Sequence, residues 1–392
     1  GPVDMGWTFI TPFTLSSGGA FALLAFGLAF MALSWAATGI NFIVTVHHKR
    51  APGMGFFDMP ILSWSLYLTG YILTLAGLVF GIIILYLASA KAGGKGLFAA
   101  GSNPLDWQNY FWFVTTPAAF FALLPAAGVI SEVIVGISRK ALSGYRTVVG
   151  SFIFLTGMSF LSWGVQMVGK GQPEAQSFSY VALALLTVIP VALITYSWLA
   201  TLYRGSIACA APTTFVVAFL LCGGIGAVMG LFLSSLSVGN YLANTMFSTA
   251  HAHYVMMGGV MTAFLAGLHF WWPKMTGRMY NNLTGRMSGF LYLIGLNLAF
   301  FPQIIMGAKG APAGSYLADP SLAGLQKLSG LGMVVLAVGL VIMVFNLVRS
   351  MINGPVAVAN PWGATTLEWQ AASPPSEENF AEEPVGGAPY NF

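Results

Sequence analysis

The sequence carries very little charge. Of its 392 residues, 15 are Lys or Arg and 11 are Asp or Glu, so charged residues make up only 7% of the chain. Soluble domains are about 25% charged, so this chain has too few charges to coat a water-soluble globule. The composition therefore excludes soluble enzymes and nucleic-acid-binding proteins. The net charge of +4 indicates no acidic partner, because most basic residues lie in predicted loops.

Cysteine is also scarce. Cys209 and Cys222 are the two cysteines in the sequence, which is too few for a thiolate metal cluster or a secreted disulfide-rich fold. The sequence also begins without Met and has no pattern of a signal peptide. We expect a chain that is processed or that forms part of a larger unit.

Apolar residues are abundant instead. They make up 57% of the chain, the mean hydropathy is +0.79, and several apolar runs exceed the roughly 20 residues that cross a bilayer as a helix. We predict an all-α polytopic membrane protein with about nine transmembrane helices. They are expected near 18–46, 60–88, 109–137, 147–169, 179–203, 213–234, 245–271, 287–308 and 328–348.

The basic residues predict an orientation, because cytoplasmic loops are enriched in Lys and Arg. With an external N-terminus, ten of the 15 lie on the inner side and five on the outer side. The inner ones are Lys49, Arg50, Arg139, Lys140, Arg146, Arg204, Lys274, Arg278, Arg286 and Arg349. The outer ones are Lys91, Lys95, Lys170, Lys309 and Lys327. The N-terminus is therefore predicted outside and the C-terminus inside.

Three regions follow from these patterns. We predict an external N-terminal segment at 1–17, a transmembrane helical bundle at 18–350 and an acidic, Pro-rich cytoplasmic tail at 351–392. The tail is too polar to form a core alone, so we expect it to be extended or ordered by a partner. Its polar character comes from Pro374, Pro375, Glu377, Glu378, Glu382 and Glu383.

Glu132 is the one acidic residue inside a predicted span. An ionisable residue at membrane depth is a functional-site hypothesis. The interpretation that we favour is an ion pair at the membrane interface, since Arg139 and Lys140 follow in ISEVIVGISRK. No Lys lies inside a predicted span, so the sequence offers little for a proton relay.

Two of the five histidines stand out. His47 and His48 lie in the basic segment HHKRAPG, and His269 closes a span, where we expect it at the interface. His251 and His253 lie within an apolar span, and residues two apart on a helix point about 200° apart. They cannot share one metal, but each can bind a group on its own side of the helix, as axial haem ligands do. The alternative is two hydrogen-bonded core histidines.

The residues around this pair carry a resemblance. AHAHYVMMGGVMTAFLAGLHFWWPKMTGRMYN, which begins at Ala250, resembles the tenth-helix region of subunit I of the haem–copper oxidases. Other segments agree with that family in order, from about residue 6 to 350. They are GWT at 6–8, SSGG at 16–19, TGINFIVTV at 38–46, APGMGFFDMP at 51–60, WF at 112–113, SWLATLYRGSI at 197–207 and GLNLAFFPQIIMGAKGAP at 295–312.

The resemblance implies a fold and two haem ligands. The predicted spans are similar to helices four to twelve of a twelve-helix subunit, the C-terminal three quarters of its bundle. We therefore expect a partner to supply helices one to three. His251 corresponds to the proximal ligand of the high-spin haem and His253 to an axial ligand of the low-spin haem. The other axial histidine of the low-spin haem belongs to helix two, so it would come from another polypeptide.

The copper ligands of the family are replaced in this sequence. Where the family has HPEVY, this chain has TPAAF, with Thr116 at the position of the ligand His. The His pair after the following Trp is replaced by Val165 and Gln166. Because Cu(I) is held there by three imidazoles, which these side chains cannot replace, we expect no copper.

Further departures affect the proton path and the haem propionates. The Lys and Thr of the family's PTGIKIFSW segment are Ile194 and Val191. A His–Asp pair before the haem histidines is Ala243–Asn244, and the arginine pair that holds the propionates is Ala313–Gly314.

We therefore interpret the chain as a split, subunit-I-like component of a respiratory haem–copper-oxidase-type complex in a bacterial or archaeal cytoplasmic membrane. It would be haem-holding or structural, without its own copper centre. The alternatives are a catalytic terminal oxidase, passing electrons from cytochrome c or quinol to O2, or a nitric oxide reductase-like subunit completed by a partner. Expected partners are other subunits, an electron donor and lipid, but no nucleic acid. A channel or transporter has no polar pathway in its favour.

Overall fold

The computed structural model describes residues 6–18, 20–93, 98, 103–314, 319–380 and 382–392. Asp4, the basic residue Lys95 and part of the predicted 1–17 segment lie outside this set. Within it the regular structure is helical, with two isolated β-bridges, Thr245 to Pro312 and Arg278 to Val356. The predicted all-α class is confirmed.

The α-helices are numbered in chain order. They are α1 Phe13–Ser16, α2 Phe21–His48, α3 Ile61–Lys91, α4 Pro104–Ser138, α5 Tyr145–Leu161, α6 Glu174–Leu186, α7 Val188–Leu202, α8 Ala211–Leu233, α9 Leu236–Leu242, α10 Met246–Val255, α11 Thr262–Thr276, α12 Asn282–Ala308 and α13 Ala323–Asn353. Short 3₁₀ segments occupy Phe56–Asp58, Ser162–Met167, Pro320–Leu322 and Leu367–Trp369, and a π-helical turn spans Met256–Met261.

Nine helical segments in the described part of the chain are long and apolar enough to cross a membrane. Each matches one predicted span, with ends that differ by several residues. They are Phe21–His48, Ile61–Lys91, Pro104–Ser138, Tyr145–Met167, Glu174–Leu202, Ala211–Leu233, Met246–Thr276, Asn282–Ala308 and Pro320–Asn353. The prediction of about nine spans is confirmed.

The chain divides into two compact units. The first comprises residues 1–50, 64–125 and 150–191. Its helices α2 and α3 approach closely at glycines: a Cβ on Gly77 would lie 2.7 Å from the Ala32 carbonyl oxygen. Small residues of this kind permit backbone contact between membrane helices. An aromatic cluster, which includes the fully buried Trp107, fills the core of this unit.

The second unit comprises residues 51–63, 126–149 and 192–392. It contains α8 to α13. Helices α12 and α13 pack backbone to backbone, because a Cβ on Gly332 would lie 2.1 Å from the Ala299 nitrogen and one on Gly295 would lie 2.4 Å from the Leu336 nitrogen. At its start, α10 is capped by Thr245, whose Oγ1 accepts from the Phe247 N–H.

The expectation of an extended or partner-ordered tail is wrong for the described residues beyond 350. Trp362, Trp369 and Tyr390 are each less than 10% exposed and pack within the second unit. The Trp362 ring stacks on Phe270 at 5.6 Å, and its Nε1–H donates to the Phe270 carbonyl. Three large apolar side chains, spaced along an otherwise polar segment, give the tail enough surface to bury against the helices.

Candidate functional site

Helix α10 carries the two histidines singled out by the sequence. The His253 Nδ1–H donates to the Thr249 carbonyl at 2.8 Å, one helical turn earlier. Its ring lies parallel to Phe300 of α12, with 4.2 Å between centroids and 18° between planes. Because a neutral imidazole has one N–H, this bond leaves the Nε2 lone pair available. Metal-ligating histidines are commonly fixed in this way.

His251 lies on a different side of α10. Its Nε2 is beside Gly230 of α8, where an added Cβ would stand 3.3 Å away. Gly230 therefore leaves space next to this ring nitrogen that any other residue would occupy. The structure brings one histidine against α12 and the other towards α8, as the spacing of two residues predicts.

Both imidazoles fit axial ligation of iron. Each offers an imidazole nitrogen from an apolar helix, the bond to the Thr249 carbonyl leaves Nε2 of His253 free, and Nε2 of His251 faces Gly230, which has no side chain. Because they lie on different sides of α10, they cannot hold one ion together. Within the described residues there is no group of three or more His, Cys, Asp or Glu side chains that could hold one ion together.

The positions matched to the copper ligands do not fit copper. Thr116 lies in α4, and its buried Oγ1 has no hydrogen-bond partner in the described part of the chain. Val165 and Gln166 lie in the 3₁₀ segment Ser162–Met167, where Gln166 is exposed. A hydroxyl, an isopropyl and an amide group offer no imidazole nitrogen to Cu(I).

Two of the other departures are neighbours in space. The Ala313 N–H donates to the Asn244 carbonyl at 2.9 Å, beside the bridge between Thr245 and Pro312. Ala313 and Asn244 thus hold the start of α10 to the end of α12 through backbone atoms. They bring no charged side chain there for a carboxylate to pair with.

The sequence suggested that His269 lies at the membrane interface, but the structure buries this residue. It is fully buried, its Nδ1–H donates to the Leu265 carbonyl at 2.8 Å, and its ring stacks on Phe215 at 4.8 Å. The apolar faces of α8 and α11 enclose it. Phe270, which directly follows it, packs against the Trp362 ring of the tail.

Glu132 was expected to form an ion pair, but in the structure it accepts hydrogen bonds from a hydroxyl and a backbone N–H. Glu132 is 5% exposed, and its Oε1 accepts from the Tyr390 hydroxyl at 2.6 Å and from the Leu62 N–H at 3.1 Å. The tail therefore supplies the partner that Arg139 and Lys140 were expected to supply. Burial, and next the charge of Glu132, raise the pKa of Tyr390 well above its usual value.

A lysine does lie inside a membrane-length helical segment, contrary to the sequence prediction. Lys274 of α11 is 5% exposed. Its Nζ donates to the carbonyls of Ala359, Ala371 and Ala372 at 3.2, 2.7 and 3.2 Å. The predicted span ended at residue 271, one turn too early, and the carbonyl partners belong to a tail that was not expected to pack.

These features define a class. The chain is a multi-pass helical membrane protein whose candidate site is a pair of histidines presented on two sides of one short helix. The fold matches a chain of a heme–copper terminal oxidase dimer solved by cryo-EM, with a TM-score of 0.61 and 16% identity. The match covers 86% of this chain and 71% of that chain.

Sequence comparisons give the family. Residues 1–342 match the family described as "Cytochrome C and Quinol oxidase polypeptide I". The chain is 34% identical over 396 residues to cytochrome c oxidase subunit 1 of Synechocystis sp., covering 100% of this chain and 72% of that protein. It is 32% identical to the corresponding subunit of Bacillus sp. strain PS3, covering 98% of this chain and 64% of that one. The chain belongs to the haem–copper oxidase subunit I family.

This membership confirms the resemblance and the respiratory, electron-transport character of the protein. The chain spans between 63% and 72% of the length of four curated relatives that it matches.

Proposed function

We propose that this chain is a haem-holding subunit of a respiratory oxidase-type membrane complex and has no copper centre of its own. His253 binds the iron of a low-spin haem, and His251 is the candidate ligand of a second haem. The bond from His253 Nδ1 to the Thr249 carbonyl carries this proposal, because it leaves Nε2 free in an apolar helix. If no haem is bound, the subunit has a structural role.

The residues of the site would orient the cofactor rather than react with it. Bound haem iron supplies one-electron transfer between two oxidation states. The stacked Phe300 and the Thr249 carbonyl hold the His253 ring in one orientation. Gly230 keeps the space beside His251 open.

The proposal that copper has been lost rests on side-chain chemistry. Thr116, Val165 and Gln166 stand where the family resemblance places three histidines. An oxidase that reduces O2, or a reductase that reduces nitric oxide, would need a second metal ion beside the haem. A catalytic role would therefore require ligands supplied by another chain.

A partner chain forms part of the proposal. It is another subunit of the same membrane complex. Cross-linking and mass spectrometry of the purified complex should identify this companion. Recovery of the chain from solubilised membranes free of any companion would contradict the partner.

The topology is also proposed. The 1–17 segment lies outside, the 18–350 bundle spans the bacterial cytoplasmic membrane, and the 351–392 tail lies inside, as the distribution of Lys and Arg favours. Reporter fusions after residues 50 and 392 should both report a cytoplasmic location. A periplasmic signal from either fusion would contradict this orientation.

A reduced-minus-oxidised visible spectrum with metal analysis tests the central proposal. The purified complex should show low-spin haem, and His253→Ala should remove that signal. An unchanged spectrum in His253→Ala would rule out the ligand role of His253. Copper bound at this subunit would instead favour the catalytic oxidase.

A further inference from the structure

Asn297 of α12 lies at the centre of a polar network beside the candidate haem ligands. Its Oδ1 accepts from the Tyr254 hydroxyl at 3.0 Å. Its Nδ2 donates to the Leu293 carbonyl at 2.9 Å and contacts Cys222 Sγ of α8 at 3.3 Å. One amide group thus joins α8, α10 and α12 within an otherwise apolar part of the bundle.

Tyr254 connects this network to the site. It directly follows His253, its side chain is fully buried, and Asn297 is the acceptor of its hydroxyl. Phe300, which stacks on His253, lies one turn after Asn297 on the same helix and also makes an edge contact with Tyr254 at 6.5 Å. The same stretch of α12 therefore contacts both His253 and the residue that follows it.

The backbone of α10 changes its hydrogen-bond pattern close to this network. The helix has ten residues, and its α-helical hydrogen bonding gives way at Met256 to a π-helical turn that ends at Met261. An inserted π turn changes the angular register of the residues on either side of it. The π turn interrupts the regular α-helical pattern between α10 and α11, so lateral contacts to α8 and α12 contribute to the rotation of α10.

The π turn is itself held from α12. The Tyr292 hydroxyl donates to the Met257 carbonyl at 2.6 Å, and Thr262 Oγ1 donates to the same oxygen at 2.7 Å. Tyr292 therefore fixes the beginning of the irregular segment, while Asn297 fixes the last residues of α10. In an apolar interior, an unpaired hydroxyl is costly, so both bonds favour a single rotation of the helix.

We propose that Asn297 is a positioning residue for haem: through the Tyr254 hydroxyl it fixes the rotation of α10 and hence the direction in which His253 presents its Nε2. This inference rests on the proposed function. Asn297 does not touch the iron in this scheme and acts only through Tyr254. Replacing Asn297 should therefore change the orientation of His253 towards the haem, in addition to any effect on folding.

The test uses the full chain in its membrane complex. Asn297→Leu and Tyr254→Phe each remove one end of the bond, and Tyr254→Phe deletes only a hydroxyl. We expect both variants to shift the α band and broaden the low-spin EPR signal. The double variant should resemble Tyr254→Phe alone, since the two residues act through one bond.

Asn346→Leu is the matched control. Asn346 is a buried asparagine of α13 that bonds to the backbone of Asn281. The Asn346→Leu substitution should lower the thermal stability and leave the haem spectrum of the folded protein unchanged.

The outcomes separate the two proposals. If the parent complex contains no low-spin haem, both the proposed function and the positioning role of Asn297 are overturned. If the parent complex contains this haem but the α band and the EPR signal are unchanged in folded Asn297→Leu and Tyr254→Phe, only the role of Asn297 is overturned. A spectral change in Asn346→Leu of the same size would also overturn it, because the effect would then be one of general packing.

Discussion

The Tyr390 hydroxyl donates to Glu132 Oε1 at 2.6 Å, joining two residues that lie 258 positions apart in the sequence. The same hydroxyl accepts from the Ile61 N–H at 2.8 Å, and Glu132 accepts from Leu62, so both side chains meet the start of α3. The first N–H groups of a helix have no partner within the helix and favour negative charge. The tail thus closes a site for a buried carboxylate.

Replacing Tyr390 with Phe should destabilise the protein by roughly 1–3 kcal/mol, since a buried carboxylate loses its hydroxyl donor. The loss should also change the pH dependence. Burial and Glu132 raise the pKa of Tyr390, so the unfolded chain ionises first as the pH rises above about 10. The contribution of the bond is therefore complete below that pH and declines above it. Thermal unfolding in detergent between pH 8 and 11 measures this.

Tyr203→Phe provides the control, because Tyr203 is 66% exposed. The difference in stability between wild type and Tyr390→Phe should narrow as the pH rises, whereas that for Tyr203→Phe should stay near zero. A difference for Tyr390→Phe that is constant with pH would contradict the assigned bond.

Lys274→Met should free the tail from the helices. The substitution removes three hydrogen bonds from a charged donor to tail carbonyls, and bonds to charged groups each contribute roughly 1.5–3 kcal/mol. Limited proteolysis should cut within 351–392 faster than in wild type. Lys327→Met, which changes an exposed lysine, should leave the rate unchanged. Equal cleavage rates for Lys274→Met and wild type would show that these bonds do not hold the tail.

The membrane helices could be predicted from the sequence because they depend on local composition. A run of apolar residues of sufficient length predicts a span whatever it packs against. The hydrogen-bond partners of Glu132 and Lys274 lie instead in a distant segment of the chain. Nothing next to either residue indicates that Tyr390 or the carbonyls around Ala371 would be its partner.

The candidate site was predictable in part. The spacing of His251 and His253 indicates two sides of one helix, and the structure places them against different helices. Asn297 was missed, because an asparagine in an apolar run has many possible partners. Its proximity to Tyr254 depends on how α12 packs against α10. A buried amide in a membrane span, taken with a tyrosine next to a candidate ligand, was the available indication.

Metal analysis should find no copper bound near Thr116, Val165 and Gln166. Three imidazoles are replaced there, so introducing one by Thr116→His should not restore binding. Apolar side chains such as Phe120 should occupy the space, because an empty cavity in a packed core is costly. Elemental analysis and anomalous scattering measure the copper content, with a copper-containing oxidase as the positive control. Copper at these three residues in the wild type would refute the prediction.

Gly230→Ala should disturb the His251 side of α10 and leave the His253 side intact. The new Cβ would lie 3.3 Å from His251 Nε2, tighter than an ordinary contact, so the ring must shift away from its present position. We expect a lower content of any haem held by His251, with an unchanged low-spin signal from His253. The matched control is Gly224→Ala on the same helix, where an added Cβ meets nothing within 4 Å. Haem content per chain and the EPR spectrum measure the two sites separately. If the alanine at 230 affected both haem signals equally, or neither, His251 would not be an independent ligand facing α8.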